Sequence, residues 1–281
     1  MAFQHELAAS LSSAPIGVFD SGVGGLTVLR ELNRQLPNES ILYLGDTARL
    51  PYGDRTPEEI LQFVRDIIAW MMEQGVKMVM MACNTSSALA LEQVQQEFPV
   101  PILGLIYPGA RAAAKAGKRI GVIATPATVA SNAYHQAILE VDATVRVWQV
   151  GCPQFVPLIE QNRLQDPVTL DVAKTYLQPL LAAQIDTLIY GCTHYPHLEP
   201  VFQKFLPVSI RRVDPARSLV KAAAKELELL NLKSNLIGQP TRFFVSGCPD
   251  QFSQLAKRWL GHAPNVGQVS FASAVTQSEV I

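Results

Sequence analysis

Ile16-Gly17-Val18-Phe19-Asp20-Ser21-Gly22-Val23-Gly24-Gly25-Leu26 decides how the rest of the chain is read. A short apolar run of strand length ends on Asp20, and a glycine-rich turn leads into a helical pattern that opens at Leu26. The same unit returns later: Ile120-Gly121-Val122-Ile123-Ala124-Thr125 echoes Ile16 to Ser21. Gly45, which follows its own apolar run, is echoed by Gly151. Met81-Ala82-Cys83-Asn84-Thr85 is echoed by Tyr190-Gly191-Cys192-Thr193-His194. Three echoes in one order at nearly constant offset predict two similar α/β halves.

Outward from these segments the chain alternates apolar runs with amphipathic stretches. The runs predict strands at Ile16–Phe19, Ile41–Leu44, Met78–Ala82, Ile102–Ile106, Ile120–Ala124, Val145–Val150, Thr187–Tyr190, Ser209–Val213 and Arg242–Val245. They are continuous rather than alternating, as in parallel strands covered on both faces. Helices are expected over stretches such as Glu58–Glu73, Ser86–Glu97 and Ala216–Leu230, and Pro108 suits the first turn of a helix that includes Ala110–Ala116. The stretch from Ala263 has little period and stays unassigned. The fold class is α/β, two similar flavodoxin-like halves with mainly parallel sheets and the site between them. The first half takes 14–106 with 216–281 and the second 107–215, behind a flexible arm at 1–13. A chain of 281 residues suits two domains at about 150 residues each.

Composition narrows the class of function. Hydrophobic residues make up 48% of the chain, enough for packed cores, and the formal charge is −1. Neither a basic field nor a basic cluster points to nucleic acid. The four cysteines, Cys83, Cys152, Cys192 and Cys248, lie far apart without metal-finger spacing, a pattern of reduced thiols and no metal site. Cys152 and Cys248 are read as small packed hydrophobes. Met1 to Pro15 lacks a basic start and an apolar core, and no apolar run approaches the roughly 18 residues of a spanning helix. The expectation is a soluble, cytoplasmic protein.

The chemistry sits at the strand ends. In open α/β sheets ligands bind outside the carboxyl ends of the strands, where Asp20, Cys83 and Cys192 all stand. If the halves face each other, two cysteines approach one ligand from opposite sides. Inverting a carbon centre needs that arrangement, one base to take the proton and an acid opposite to return it. A cysteine becomes a thiolate near a helix N-terminus or a cation, and both thiols precede polar, helix-opening segments.

Asp20-Ser21-Gly22-Val23-Gly24-Gly25-Leu26, Ala82-Cys83-Asn84-Thr85 and Gly191-Cys192-Thr193-His194-Tyr195-Pro196 resemble the signature segments of the glutamate racemases, in the aspartate/glutamate racemase superfamily. So do Gly45-Asp46-Thr47, Pro51-Tyr52-Gly53, and Cys152-Pro153 with Phe155 to Glu160. The resemblance implies cofactor-independent interconversion of L- and D-glutamate, supplying D-glutamate for peptidoglycan. It implies Cys83 and Cys192 as the catalytic pair, Cys83 serving the D-enantiomer and Cys192 the L-enantiomer. Asp20 and His194 become their helpers and Glu160 a further carboxylate. Substrate contacts carried over are Asp20, Ser21, Tyr52, Gly53, Asn84, Thr85, Thr193 and His194. No cofactor is implied, and the short arm implies that the regulatory extension of some members is lacking. The partner expected is a small-molecule substrate, with no nucleic acid and no membrane; a homodimer stays open.

Other readings remain. An aspartate racemase of the same superfamily is the nearest, although that group tends to carry Glu where this chain has His194. A flavodoxin-like binding module without catalysis would leave two matched thiols unexplained. Gly22 to Leu26 misses the dinucleotide fingerprint, with Asp46 the nearest acidic partner. No lysine stands at a strand end to hold pyridoxal phosphate.

Overall fold

The computed structural model describes residues 12–271. Most of the arm at 1–13 lies outside those residues; within them, the backbone carbonyl of Ser12 accepts from Lys77 Nζ at 2.5 Å.

Two sheets carry the fold, and every pairing among the described residues is parallel. The first runs in the order β10-β9-β2-β1-β3-β4 and the second β6-β5-β7-β8. The first comprises β1 (Ile16–Asp20), β2 (Ile41–Gly45), β3 (Met78–Met81), β4 (Ile102–Gly104), β9 (Arg242–Val245) and β10 (Val266–Gln268). The second comprises β5 (Arg119–Ala124), β6 (Arg146–Gly151), β7 (Thr187–Gly191) and β8 (Arg211–Val213). The echoes in the sequence are echoes in register. Asp20 pairs with Gly45 and Phe19 with Met81, while Ala124 pairs with both Gly151 and Gly191.

Each sheet is covered on both faces, which is why its central strands read as unbroken apolar runs. Ile16, Val18, Tyr43, Met78 and Met80 face α1 (Leu26–Gln35), α10 (Pro215–Leu229) and α11 (Pro249–Leu260). Phe19, Leu42, Leu44, Val79 and Met81 face α2 (Pro57–Glu73) and α3 (Asn84–Glu97). In the second sheet Ile120, Val122 and Ile189 pack against α4 (Ile106–Ala116) and α6 (Ala133–Val141). Leu188 and Tyr190 pack against α8 (Pro167–Ala182) and α9 (Glu199–Phe205). Strands β1, β2, β3 and β7 are buried throughout, whereas the edge strand β6 is half-open.

Helix starts follow local chemistry. At α2, Thr56 Oγ1 accepts from the Glu59 N–H at 3.2 Å and Glu59 returns the bond to the Thr56 N–H at 2.9 Å. Pro57, Pro167, Pro215 and Pro249 each fill a first-turn position, where no N–H is needed. Several boundaries shift by one or two residues from expectation, among them the strand expected at Ser209–Val213, which begins at Arg211, and the helix expected from Ser86, which begins at Asn84. The run at Ile102 stops at Gly104, because α4 already begins at Ile106 and places Pro108 inside its first turn, where the missing N–H costs nothing. The unassigned stretch after Ala263 supplies β10, a short edge strand whose pairing with β9 comes from the sheet, not from its own period. Among the described residues no helix is long and apolar enough to cross a membrane.

Candidate active site

The carboxyl ends of β1, β3, β5 and β7 open on one cavity of about 430 Å³. Every site residue expected from the sequence lines it: Asp20, Ser21, Tyr52, Gly53, Cys83, Asn84, Thr85, Glu160, Cys192, Thr193 and His194. Its charged lining residues are Asp20, Asp54, Glu160 and His194, so no arginine or lysine is available to a ligand there.

Cys83 is the N-cap residue of α3 and makes no side-chain cap bond, leaving its sulfur at the positive end of that helix. Its backbone is pinned by the hydroxyls of Ser86 and Ser87, which donate to the Cys83 carbonyl at 3.1 and 2.8 Å. The thiol donates to Ser21 Oγ at 3.8 Å. Burial, and then the charge of Asp20, push the Cys83 thiol up to about 12, so at neutral pH it keeps its proton.

Asp20 ends β1 and is 1% exposed. Its Oδ2 accepts from the Gly22 N–H at 3.0 Å, while its buried Oδ1 has no partner. Burial raises its pKa, opposed by the charge of His194 and by backbone N–H groups of Gly25, Gly22 and Ser21. Asp20 and Ser21 do not cap a helix: α1 starts after Gly25 without any side-chain cap.

The second thiol has the opposite kind of neighbour. Cys192 Sγ lies 3.7 Å from His194 Nδ1, and His194 Nε2 lies 3.1 Å from Glu160 Oε1. Burial opposes a charge on the ring, but Cys192 and Glu160 at its two nitrogens, with Asp20 beyond, push His194 up to about 10. Groups that favour the protonated ring therefore stand at both of its nitrogens. Glu160 ends α7 (Phe155–Glu160). That helix is tied to the loop beyond β7 by Tyr195, whose hydroxyl donates to the Cys152 carbonyl at 3.1 Å and whose ring meets Phe155 edge-on at 5.2 Å. Thr27 Oγ1 donates to the Thr193 carbonyl at 3.3 Å, fastening the same loop to α1 of the first sheet.

The glycines after Asp20 now have a reason. A Cβ on Gly24 would stand 2.5 Å from both His194 Nδ1 and Thr193 Oγ1, so only glycine lets the loop bearing His194 come this close. Tyr52 lines the cavity with its hydroxyl already engaged, donating to the fully buried Asp46 at 2.5 Å. Asp46 also accepts from Arg49 Nε and Ser246 Oγ, both at 2.7 Å, and so fixes the 46–54 segment that walls the cavity.

A sequence model of the Asp/Glu/Hydantoin racemase family matches residues 16–223. The chain belongs to that family. It is an amino-acid racemase, an isomerase. The glutamate racemase of Gloeothece citriformis is 69% identical over 256 residues, 91% of this chain and 92% of its own. The crystal structure of glutamate racemase isoform RacE1 from Bacillus anthracis matches with a TM-score of 0.89 at 38% identity, covering 92% of this chain and 98% of that one. Glutamate racemase from Francisella tularensis, solved in complex with D-glutamate, matches with a TM-score of 0.87 at 34% identity over 92% of this chain and 98% of its own.

The racemase cavity is also lined by residues for which sequence alone implied no site role. Thr125 and Pro126 line it from the end of β5, where the short helix α5 (Pro126–Ala130) begins, and Cys152, Pro153, Val156 and Pro157 from beyond β6. The repeat carried the signal: Thr125 is the echo of Ser21, and Cys152 follows Gly151, the echo of Gly45. Thr125 Oγ1 lies 3.0 Å from Thr85 Oγ1 and 2.9 Å from Thr128 Oγ1, a hydroxyl cluster joining α3 to the second sheet. Cys152 packs as expected, buried with its thiol pushed up by burial, but Cys248 is exposed. It stands at the start of the surface helix α11 as N-cap, not in a core. Among the described residues no group of three or more His, Cys, Asp or Glu side chains is arranged to hold a metal ion.

Proposed function

We propose that this racemase interconverts L- and D-glutamate without a cofactor, using Cys83 and Cys192 as the two proton carriers on opposite faces of Cα. One observation carries the reading: two thiols at equivalent strand ends open on a single cavity whose buried polar lining is left incomplete. Asp20 Oδ1 lacks a donor and Asn84 Nδ2 lacks an acceptor. An amino-acid zwitterion supplies both, its ammonium to Asp20 and a carboxylate oxygen to Asn84, satisfying groups whose burial alone is costly. The N–H groups of Asn84 and Thr85, which lack partners within α3, and the hydroxyls of Thr85 and Thr193 suit carboxylate oxygens, so arginine is not required. The helix dipole stabilises the negative charge that develops as the Cα proton leaves.

The two thiols have different neighbours, Ser21 and Asp20 beside Cys83 and His194 beside Cys192. Cys192, whose sulfur lies 3.7 Å from His194 Nδ1, takes the proton from L-glutamate. Cys83, held as a thiol, returns a proton to the opposite face and yields D-glutamate. In the reverse direction the roles exchange, with Asp20 beside Cys83 and His194 beside Cys192. Glu160 acts through His194 by holding its outer nitrogen.

The halves of this reading are 14–106 with 216–281 and 107–215, with the substrate between them. D-glutamate made this way is a precursor for peptidoglycan, which places the enzyme in the cytoplasm. The test is direct: purified protein is incubated with L-glutamate and, separately, L-aspartate, without added cofactor, and optical rotation is followed. Rotation decaying to zero with glutamate alone is expected. Decay with aspartate alone would overturn the substrate, and no decay with either would overturn the activity.

A further inference from the structure

Tyr134 is absent from the cavity lining, yet it governs a group that lines it. Its ring is fully buried in the core of the second half, on α6. Its hydroxyl lies 2.7 Å from Asn84 Oδ1, in the first turn of α3 on the other side. Room for the ring comes from Gly191, the residue before Cys192, where a Cβ would stand 3.2 Å from Tyr134 Cε2. We infer that Tyr134 is a positioning residue for the racemase reaction: it locks the Asn84 amide so that the NH2 group, not the carbonyl, faces the substrate carboxylate. The inference rests on the proposed reading, in which that carboxylate occupies the cavity.

Donor counting supports the orientation. A phenol has one proton to give, and Asn84 has one acceptor oxygen and an NH2 group. With the amide as found, Tyr134 donates to Oδ1 and only Nδ2 is left over, buried at the cavity wall and without a partner. With the amide turned over, Nδ2 would bond the phenol oxygen and the phenol proton would be stranded, since no other described residue accepts from Tyr134. Asn84 Oδ1 would then face a carboxylate oxygen, acceptor against acceptor. Burial, with smaller pushes from Asp214 and Cys192, raises the Tyr134 pKa well above its usual value, so the phenol proton stays in place across the working pH range. The hydroxyl therefore decides between a donor and an acceptor at one point of the substrate site, and it does so from the opposite half of the molecule.

The test is a double-mutant cycle on the full chain: wild type, Tyr134→Phe, Asn84→Ala and the pair, with kcat and KM measured for both enantiomers of glutamate. Freed from the phenol, the Asn84 amide is no longer held, and KM is expected to rise about tenfold in both directions, the scale of one hydrogen bond to a charged group. Asn84 holds substrate and transition state alike, so kcat should change far less than KM. In the Asn84→Ala background, Tyr134→Phe should add no more than about twofold. An unchanged KM for Tyr134→Phe, or losses that multiply in the pair, would overturn the inference. Asn84→Asp gives a second route if Tyr134→Phe does not fold. It keeps the bond to Tyr134, replaces the donor by an acceptor, and should bind glutamate worse than Asn84→Ala; equal or better binding refutes the orientation. A third readout needs no substrate: the Asn84 side-chain NH2 signals in an amide NMR spectrum should move in Tyr134→Phe, and signals that stay in place would refute the contact. Wild type inert on glutamate strikes the proposed reaction, leaving the NMR result to decide the contact itself.

Discussion

Gly24→Ala adds one methyl group and should disable the His194 side of the site. Gly24 is not among the glycines with positive φ, so an alanine there suffers no backbone penalty and the clash alone counts. The added Cβ would lie 2.5 Å from His194 Nδ1 and 2.6 Å from His194 Cε1, where ordinary contact begins at 3.4 Å. The imidazole or the loop must therefore retreat by about 0.9 Å, the difference between 3.4 and 2.5 Å. Nδ1 is the atom that faces Cys192 Sγ at 3.7 Å, so the shift falls on the pair proposed to act on the L-enantiomer. A misplacement of about 1 Å costs roughly 100-fold in rate, which is the loss expected in kcat/KM. Overpacking should lower stability by about 1–3 kcal/mol. At about 2–4 °C per kcal/mol for a chain of this size, the melting temperature falls by several degrees while the fold survives. Polarimetry in both directions is the assay, and Haldane's relation requires equal losses in kcat/KM because the equilibrium constant is near one. Gly22→Ala is the control, since its Cβ would come no nearer than 3.5 Å to Leu50. A Gly24→Ala enzyme as fast as wild type would refute the claim that this close approach sets the imidazole.

Histidine-selective NMR should find His194 charged throughout the neutral range and titrating near 10, while burial and the His194 charge hold His197 down to about 4. Because folding raises the His194 pKa from 6.5, its contribution to stability is fully present below that pH and is lost as pH climbs through about 10. His194→Asn should flatten that slope, and a His194 midpoint near 6.5 in wild type would contradict both statements. Glu160→Gln removes the negative charge beside His194 Nε2 while keeping an acceptor there, and should lower the His194 midpoint, with about a tenfold loss in kcat/KM. An unmoved midpoint would refute its role. Cys83→Ala and Cys192→Ala should abolish racemisation while Cys152→Ala and Cys248→Ala remain active; a working Cys83→Ala enzyme would end the two-thiol scheme.

The sequence is legible wherever a local pattern settles the conformation. Ile16 to Leu26 shows a strand, a turn and a helix because apolar run, glycines and amphipathic period are contiguous. The echo at Ile120 reveals the second sheet in the same way, and it also points at Thr125, the counterpart of Ser21. Strand ends place Asp20, Cys83 and Cys192, and family resemblance supplies Glu160, which the chain alone offers only as one acid on a helix. Illegible features are those made by distant partners. The reason for glycine at 24 is the His194 ring, far along the chain. The orientation of Asn84 depends on Tyr134, which no local pattern in the sequence singles out. The resemblance implies Tyr52 as a substrate contact, but only the fold shows its hydroxyl already engaged by Asp46. β10 has no period of its own, because a strand of three residues at a sheet edge is specified by its neighbour.

The two-thiol scheme claims that each face of Cα has its own proton carrier. The most direct measurement is the early time course in D₂O, starting from unlabelled L-glutamate, with deuterium at Cα followed separately in product and in recovered substrate. On that scheme Cys192 removes the original proton and Cys83 delivers one exchanged with solvent, so the D-glutamate formed in the first turnovers should be fully deuterated. The recovered L-glutamate should still carry hydrogen at that stage. Deuterium appearing equally early in both pools would mean that one group visits both faces, and would contradict the assignment of Cys83 and Cys192 to opposite sides.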